Sequence, residues 1–217
     1  MKTKKLVTWA IALILFALCL SAARWQLNKG IALTKRNSII TKQISYEATL
    51  DPESIDQEKD QWRKFMLNGK FSNEYKLVKN RYFEGQFGFH VLEKFDASTL
   101  GQIWIDRGWV KAGKDAKTAP AVPVASQEND LIEVRLRSEF ISTHPAGTLF
   151  AMPAKKNVSQ TIYFDLLDGK INKPLTSIDL PELSTGPHFA YALQWLFFGV
   201  MILFGAFLIQ RSDRKAD

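Results

Sequence analysis

Three histidines, His90, His144 and His188, and one cysteine, Cys19, are the side chains of this chain best suited to ligate a metal or act as base or nucleophile near neutral pH. The histidines are far apart in sequence, and none belongs to a recognisable metal-ligand motif. Cys19 lies inside a long apolar run and reads as a small apolar residue of a helix. With Leu18 before it, where a lipoprotein acceptor needs a small residue, it is not a lipidation site. No nucleophile stands in a recognisable pairing with a base, and Gly85-Gln86-Phe87-Gly88 lacks the third glycine and following helix of a dinucleotide loop. It reads as a turn and the start of a strand. The expectation is a protein that is not an enzyme.

His188 is the most informative of the four. It stands at the mouth of the second apolar run and begins His188-Phe189-Ala190-Tyr191-Ala192-Leu193-Gln194-Trp195. Steps of three, four and seven put His188, Tyr191, Ala192 and Trp195 on one helical face. Beside them Ala192, Gly199 and Ala206 recur every seven residues and leave a shallow groove, open to the other apolar run or to a flat ligand. One reading makes His188 an axial ligand to a haem iron, flanked by Tyr191 and Trp195. The other is an interfacial histidine beside an aromatic belt, and residue chemistry alone favours it. Asn80-Arg81 and Asp106-Arg107-Gly108-Trp109 are also distinctive, and their structural reading pairs arginine with a carboxylate such as Asp106 and packs Trp109 in a core.

The elements that must position these residues follow from where the apolar residues lie. Leu6 to Ala23 and Phe189 to Ile209 carry no charge, and each is long enough as a helix to cross a ~30 Å hydrocarbon core. Lys2, Lys4 and Lys5 flank the first run and Arg211, Arg214 and Lys215 the second, which predicts cytoplasmic termini and a translocated middle. Ser21-Ala22-Ala23 also resembles a signal-peptidase site. Against cleavage, Arg24 to Lys29 reads as a helix emerging through the interface with Trp25 at headgroup depth. The formal net charge of +7 resides largely at the two ends, so nucleic acid is not an expected partner.

Between the runs, alternating or β-rich segments are separated by turn residues: Arg63 to Leu67, Tyr75 to Lys79, Phe87 to Phe95, Gln102 to Val110, Leu131 to Phe140 and Thr161 to Phe164. Asn68-Gly69 and Glu84-Gly85 read as turns, and Lys111 to Asp130 as an exposed connection. Helices are expected from Trp25 to about Ile40 and near Phe164 to Ile171. The predicted class is an α+β membrane protein, with two transmembrane helices flanking an outward-facing, mainly antiparallel β domain. Its parts are a cytoplasmic N-terminus (1–5), a first span (6–23), a periplasmic domain (24–187), a second span (188–209) and a cytoplasmic tail (210–217).

Four pieces occur in order along the chain: Trp25-Gln26; Asn80-Arg81 with Gly85, Gly88 and Phe89; Arg107-Gly108-Trp109-Val110; and His188, Tyr191, Ala192 and Trp195. In this order and topology the chain resembles the Surfeit locus protein family (Surf-one-like) of cytochrome c oxidase assembly factors. It departs from that pattern at Ala22, at Glu93-Lys94-Phe95 and at Asp106, where the family has Gly, Thr-Pro-Leu and commonly Asn. The resemblance implies a non-catalytic role in maturing a haem-copper oxidase in the bacterial inner membrane, with delivery or retention of haem a. It implies His188 as the iron ligand. The implied partners are cytochrome c oxidase subunit 1 or its haem a synthesis machinery, together with membrane lipid. Two other classes stand beside it: a membrane-anchored scaffold without haem, and a ligand-binding sensor domain, for which the eight residues after Ile209 offer no output module.

Overall fold

The computed structural model describes residues 2–114, 118–137, 140–142, 149–154, 160–161, 163–167 and 174–213. The chain divides into two units, Met1–Ile39 with Glu182–Asp217, and Ile40–Pro181.

The helical unit is built from α1 (Lys2–Ser45) and α2 (His188–Asp213). The apolar run over 6–23 and the helix expected from Trp25 to about Ile40 are parts of the same α1. One helix runs through, because neither proline nor a glycine pair interrupts the sequence there. Both helices are long and apolar enough to cross a bilayer. Leu6, Ile14, Leu18, Leu193, Phe197 and Val200 project outward and exposed, an apolar surface that water would not tolerate at this extent. Small residues line the seam instead: Ala12, Cys19, Ala23, Ala192 and Ala206 are buried. A Cβ added at Gly199 would stand 2.9 Å from the Phe16 ring and 3.4 Å from Cys19 Cβ, and one at Gly30 would meet the Phe189 ring. Farther along, Asn37 Nδ2 donates to the Leu183 carbonyl at 2.6 Å. The two helices therefore pack antiparallel.

Among its described residues the second unit is a mixed sheet of nine strands: β1 (Thr49–Leu50), β2 (Lys64–Phe83), β3 (Gln86–Ala97), β4 (Gly101–Lys111), β5 (Asp130–Leu136), β6 (Phe140–Ser142), β7 (Phe150–Ala154), β8 (Gln160–Thr161) and β9 (Tyr163–Leu166). Most pairings are antiparallel, but β1 with β2, β2 with β7 and β4 with β9 are parallel. The hydrogen-bonded path closes on itself. β2 pairs β5 through Lys64–Gly69 and then β3 through Gly69–Phe83, while β4 and β9 complete the ring between β3 and β5. Every second residue points inside it: Phe65, Leu67 and Phe71 from β2, Ile132, Val134 and Leu136 from β5, Phe95 from β3, Ile105 from β4, and Phe164 and Leu166 from β9. At about 1.5–3 kcal/mol for each large apolar side chain buried, this core dominates the stability of the unit.

Several sequence expectations are corrected. Asn68-Gly69 is not a turn. Gly69 lies within β2 where the strand exchanges partners, and an added Cβ there would collide with the Asp96 carbonyl of β3. The start of the helix expected near Phe164 to Ile171 is strand β9, whose four residues are all buried. Residues 168–171 lie outside the described residues. The connection over 111–130 is not simply exposed, since Ala125 joins the interior of the ring and the Pro123 carbonyl accepts from buried Arg107. Glu84-Gly85 does turn the chain between β2 and β3, with φ of 48° and 74°, the double positive φ of a tight hairpin. β4, containing the Gln102 to Val110 segment, sits centrally between β3 and β9.

Candidate functional site

His188 is the first residue of α2, and Pro187 before it fixes the chain and gives its carbonyl to the Tyr191 amide. The His188 side chain reaches across the seam to α1, where Nδ1 lies 2.7 Å from Gln26 Oε1. An amide oxygen only accepts, so Nδ1 carries the proton and Nε2 keeps its lone pair. Nε2 would lie 3.8 Å from a Cβ at Gly186, a residue whose φ of 62° favours glycine and whose lack of side chain leaves that flank open.

Trp195 stands two turns along α2. It lines an apolar groove of ≈ 660 Å³ together with Phe198, Met201 and Ile202 of α2 and Leu15, Leu18, Cys19 and Ala22 of α1. Its ring packs edge-on against Phe198 at 5.9 Å. Tyr191 is 46% exposed and neither it nor His188 is among the residues lining this groove, so the groove holds Trp195 alone of the three. Nor is the Ala192, Gly199 and Ala206 stripe open to a flat ligand: at Gly199 it is filled by Phe16 and Cys19, and both alanines are buried. The apolar cavity lies on the neighbouring face.

In the sheet unit the polar residues pair otherwise than sequence adjacency suggests. Asp106 does not meet Arg107. Its Oδ2 lies 2.6 Å from His90 Nδ1 and its Oδ1 accepts from the Gly108 amide, while Arg107 donates to Glu93 at 2.6 Å with both side chains buried. Arg107 also lies over the Phe71 ring. Burial pushes the Glu93 carboxyl up, and Arg107 pulls it partly back. Asp165 is fully buried and accepts from Arg135 at 2.6 Å and Arg137 at 2.8 Å. Burial pushes its carboxyl up against the pull of Arg137 and Arg135. Trp109 is buried, its indole donating to the Arg81 carbonyl at 3.4 Å. His144 lies outside the described residues, among which no group of three or more His, Cys, Asp or Glu could hold a metal ion.

Sequence reasoning missed the partners more than the residues. Gln26 bears the acceptor for His188, yet 162 positions separate the two and nothing local connects them. Arg135 and Arg137 did carry a signal, since positions two apart on a strand share a face and here share Asp165.

The sequence model of the SURF1 family matches residues 13–200 of this chain. Uncharacterized SURF1-like proteins of Mycobacterium bovis and of two Mycobacterium tuberculosis strains are 25% identical to it over 222 residues, covering 90% of this chain and 80% of theirs.

Proposed function

The chain belongs to the SURF1 family, a family of cytochrome oxidase assembly factors, and on that premise we propose that it holds haem a at the bacterial inner membrane for a maturing oxidase, without catalysis of its own. His188 is the iron ligand in this reading. The observation that supports it is the bond from His188 Nδ1 to Gln26, because an imidazole ligand to a metal characteristically has its second nitrogen held by an acceptor, which sets tautomer and ring orientation. Haem supplies an iron that takes imidazole as axial ligand and a macrocycle with an apolar edge.

The groove suits the apolar part of such a group. Its lining residue on α2 nearest His188 in sequence is Trp195, two helical turns or about 10 Å farther along that helix, so the groove would receive the hydrocarbon tail of haem a rather than an iron held by His188. Trp195 and Phe198, which line the groove, would exclude water from that tail. Tyr191, exposed beside His188, is available to the rim of the macrocycle rather than to the groove. Oxidase subunit 1 or the haem a synthesis machinery is the proposed partner.

Protein purified from cells that synthesise haem a should show its absorption spectrum. His188→Ala should lose that spectrum while the protein still accumulates, and Gln26→Leu should weaken haem retention at least several-fold by releasing the imidazole. An unaltered spectrum in His188→Ala rejects the ligand assignment. Absence of haem from the unsubstituted protein favours a membrane-anchored scaffold that holds an oxidase subunit without cofactor.

A further inference from the structure

Past the mouth of the helix pair, α1 runs on beyond α2. Gln26 meets His188 and Gly30 meets Phe189, the first two residues of α2, and α1 continues to Ile39 within the helical unit. One side of this stretch is covered, since Asn37 is buried and donates to the Leu183 carbonyl. On the other side Asn28, Ile31, Ala32, Lys35, Arg36 and Ile39 are all exposed, and steps of three and four place them on one helical face. The run Asn28, Ala32, Lys35 and Ile39, in steps of four, three and four, has the spacing of a seam between paired helices.

Two features set this face apart from a solvated one. Ile31 and Ile39 are 53% and 48% exposed on either side of Lys35, where a water-facing helix carries polar residues. The second feature is charge. α1 contains no acidic residue, so Lys35 and Arg36 have no carboxylate three or four positions away, and neither enters an ion pair among the described residues. Lipid does not reach far enough to cover them. The polar layer of a bilayer leaflet is about 5–8 Å deep, whereas Lys35 and Ile39 lie about 14 and 20 Å beyond Gln26 along α1. Nor does the α1 of a second copy fit, since it would set cation against cation.

We propose that this face of α1 docks an acidic amphipathic helix of a partner protein, whose apolar side chains seat on Ile31, Ala32 and Ile39 and whose carboxylates pair with Lys35 and Arg36. The spacing supplies the helical form of the partner and the unpaired cations supply its charge. The inference uses the membrane reading of α1 and α2 and does not rest on His188 or on haem binding.

The test is fluorescence anisotropy of a labelled helical peptide, three heptads long with Leu along its seam and Glu beside it, titrated with the full-length protein in phosphatidylcholine nanodiscs. Empty discs are the blank, and a peptide with Lys in place of every Glu has the same apolar face. The Glu peptide should bind, less tightly as sodium chloride rises, and the Lys peptide should not. Lys35→Glu combined with Arg36→Glu should lower affinity by about tenfold, and Ile31→Ser combined with Ile39→Ser by about fivefold. Lys111→Glu, an exposed charge of the sheet unit, should leave it unchanged. All five positions are exposed, so an unchanged Tm is expected and verifies that each variant is folded. No binding of the Glu peptide, equal binding of the two peptides, or an affinity unchanged in either double variant overturns the proposal. Displacement of the peptide as phosphatidylglycerol replaces phosphatidylcholine would give the face to lipid. A dimer by light scattering that dissociates in the double charge variant would give it to a second copy, and either result overturns the proposal as well.

Discussion

At Gly88 an added Cβ would fall within contact distance of the Val110 carbonyl and the Trp109 indole, both parts of β4 and neither free to retreat. Gly88→Ala should therefore destabilise the sheet unit by about 1–3 kcal/mol, the cost of overpacking a filled interior, and lower Tm accordingly. An unchanged Tm would show that Trp109 is loosely seated. Residue types at this scale were legible: the histidine at the helix mouth, the Arg-Gly-Trp strand and the twin glycines were all visible in sequence. The pairings were not. Asp106 and Arg107 are neighbours, and neighbours on a strand point to opposite faces, so period-two reasoning alone argues against their ion pair. What no local rule supplies is the identity of the actual partners, because His90 and Glu93 reach these side chains only through the register of β3 on β4, which a bulge between Asp106 and Trp109 shifts.

Element by element, hairpin-linked strands were readable because antiparallel neighbours announce themselves by alternation and a tight turn. Strand β2 was not seen whole. Its twenty residues include Gly69, Asn73 and Asn80, each of which reads locally as a break but serves in the structure as a partner exchange or a bulge. The parallel pairs joined segments as distant as Trp104 and Tyr163, so no turn marked them. In the helical unit the recurrence of Ala192, Gly199 and Ala206 correctly marked a seam, and the structure assigns Phe16 and Cys19 as what fills it at Gly199. Gly199→Leu should then push α1 and α2 apart and lower the thermal stability of detergent-purified protein by several degrees. Gly205→Leu is the control, since nothing lies within 4 Å of a Cβ at that position. Equal behaviour of the two variants would deny close packing at Gly199.

For the molecule as a whole, the antiparallel seam constrains how the chain sits in a membrane. Phe16 and Cys19 meet Gly199, Gln26 meets His188, and Gly30 meets Phe189. Extended at equal steps toward the chain ends, this register brings the Lys4-Lys5 end of α1 level with Arg211 near the end of α2. Basic residues thus collect at one end of the pair. Positive charge is retained on the cytoplasmic side of a bilayer, and on that rule we propose cytoplasmic termini and a periplasmic sheet unit. The alternative of cleavage after Ala23 would sever α1 between two turns of one unbroken helix and remove Phe16 and Cys19 from the seam. Fusions of green fluorescent protein after Asp217 should fluoresce, and alkaline phosphatase inserted within residues 111–130 should be active. Intact mass should retain the residues before Arg24. Inactive phosphatase within 111–130 together with a dark fusion after Asp217 would invert the proposed orientation, and a mature chain beginning at Arg24 would strip α2 of the Phe16 and Cys19 contact and the Trp195 groove of half its wall.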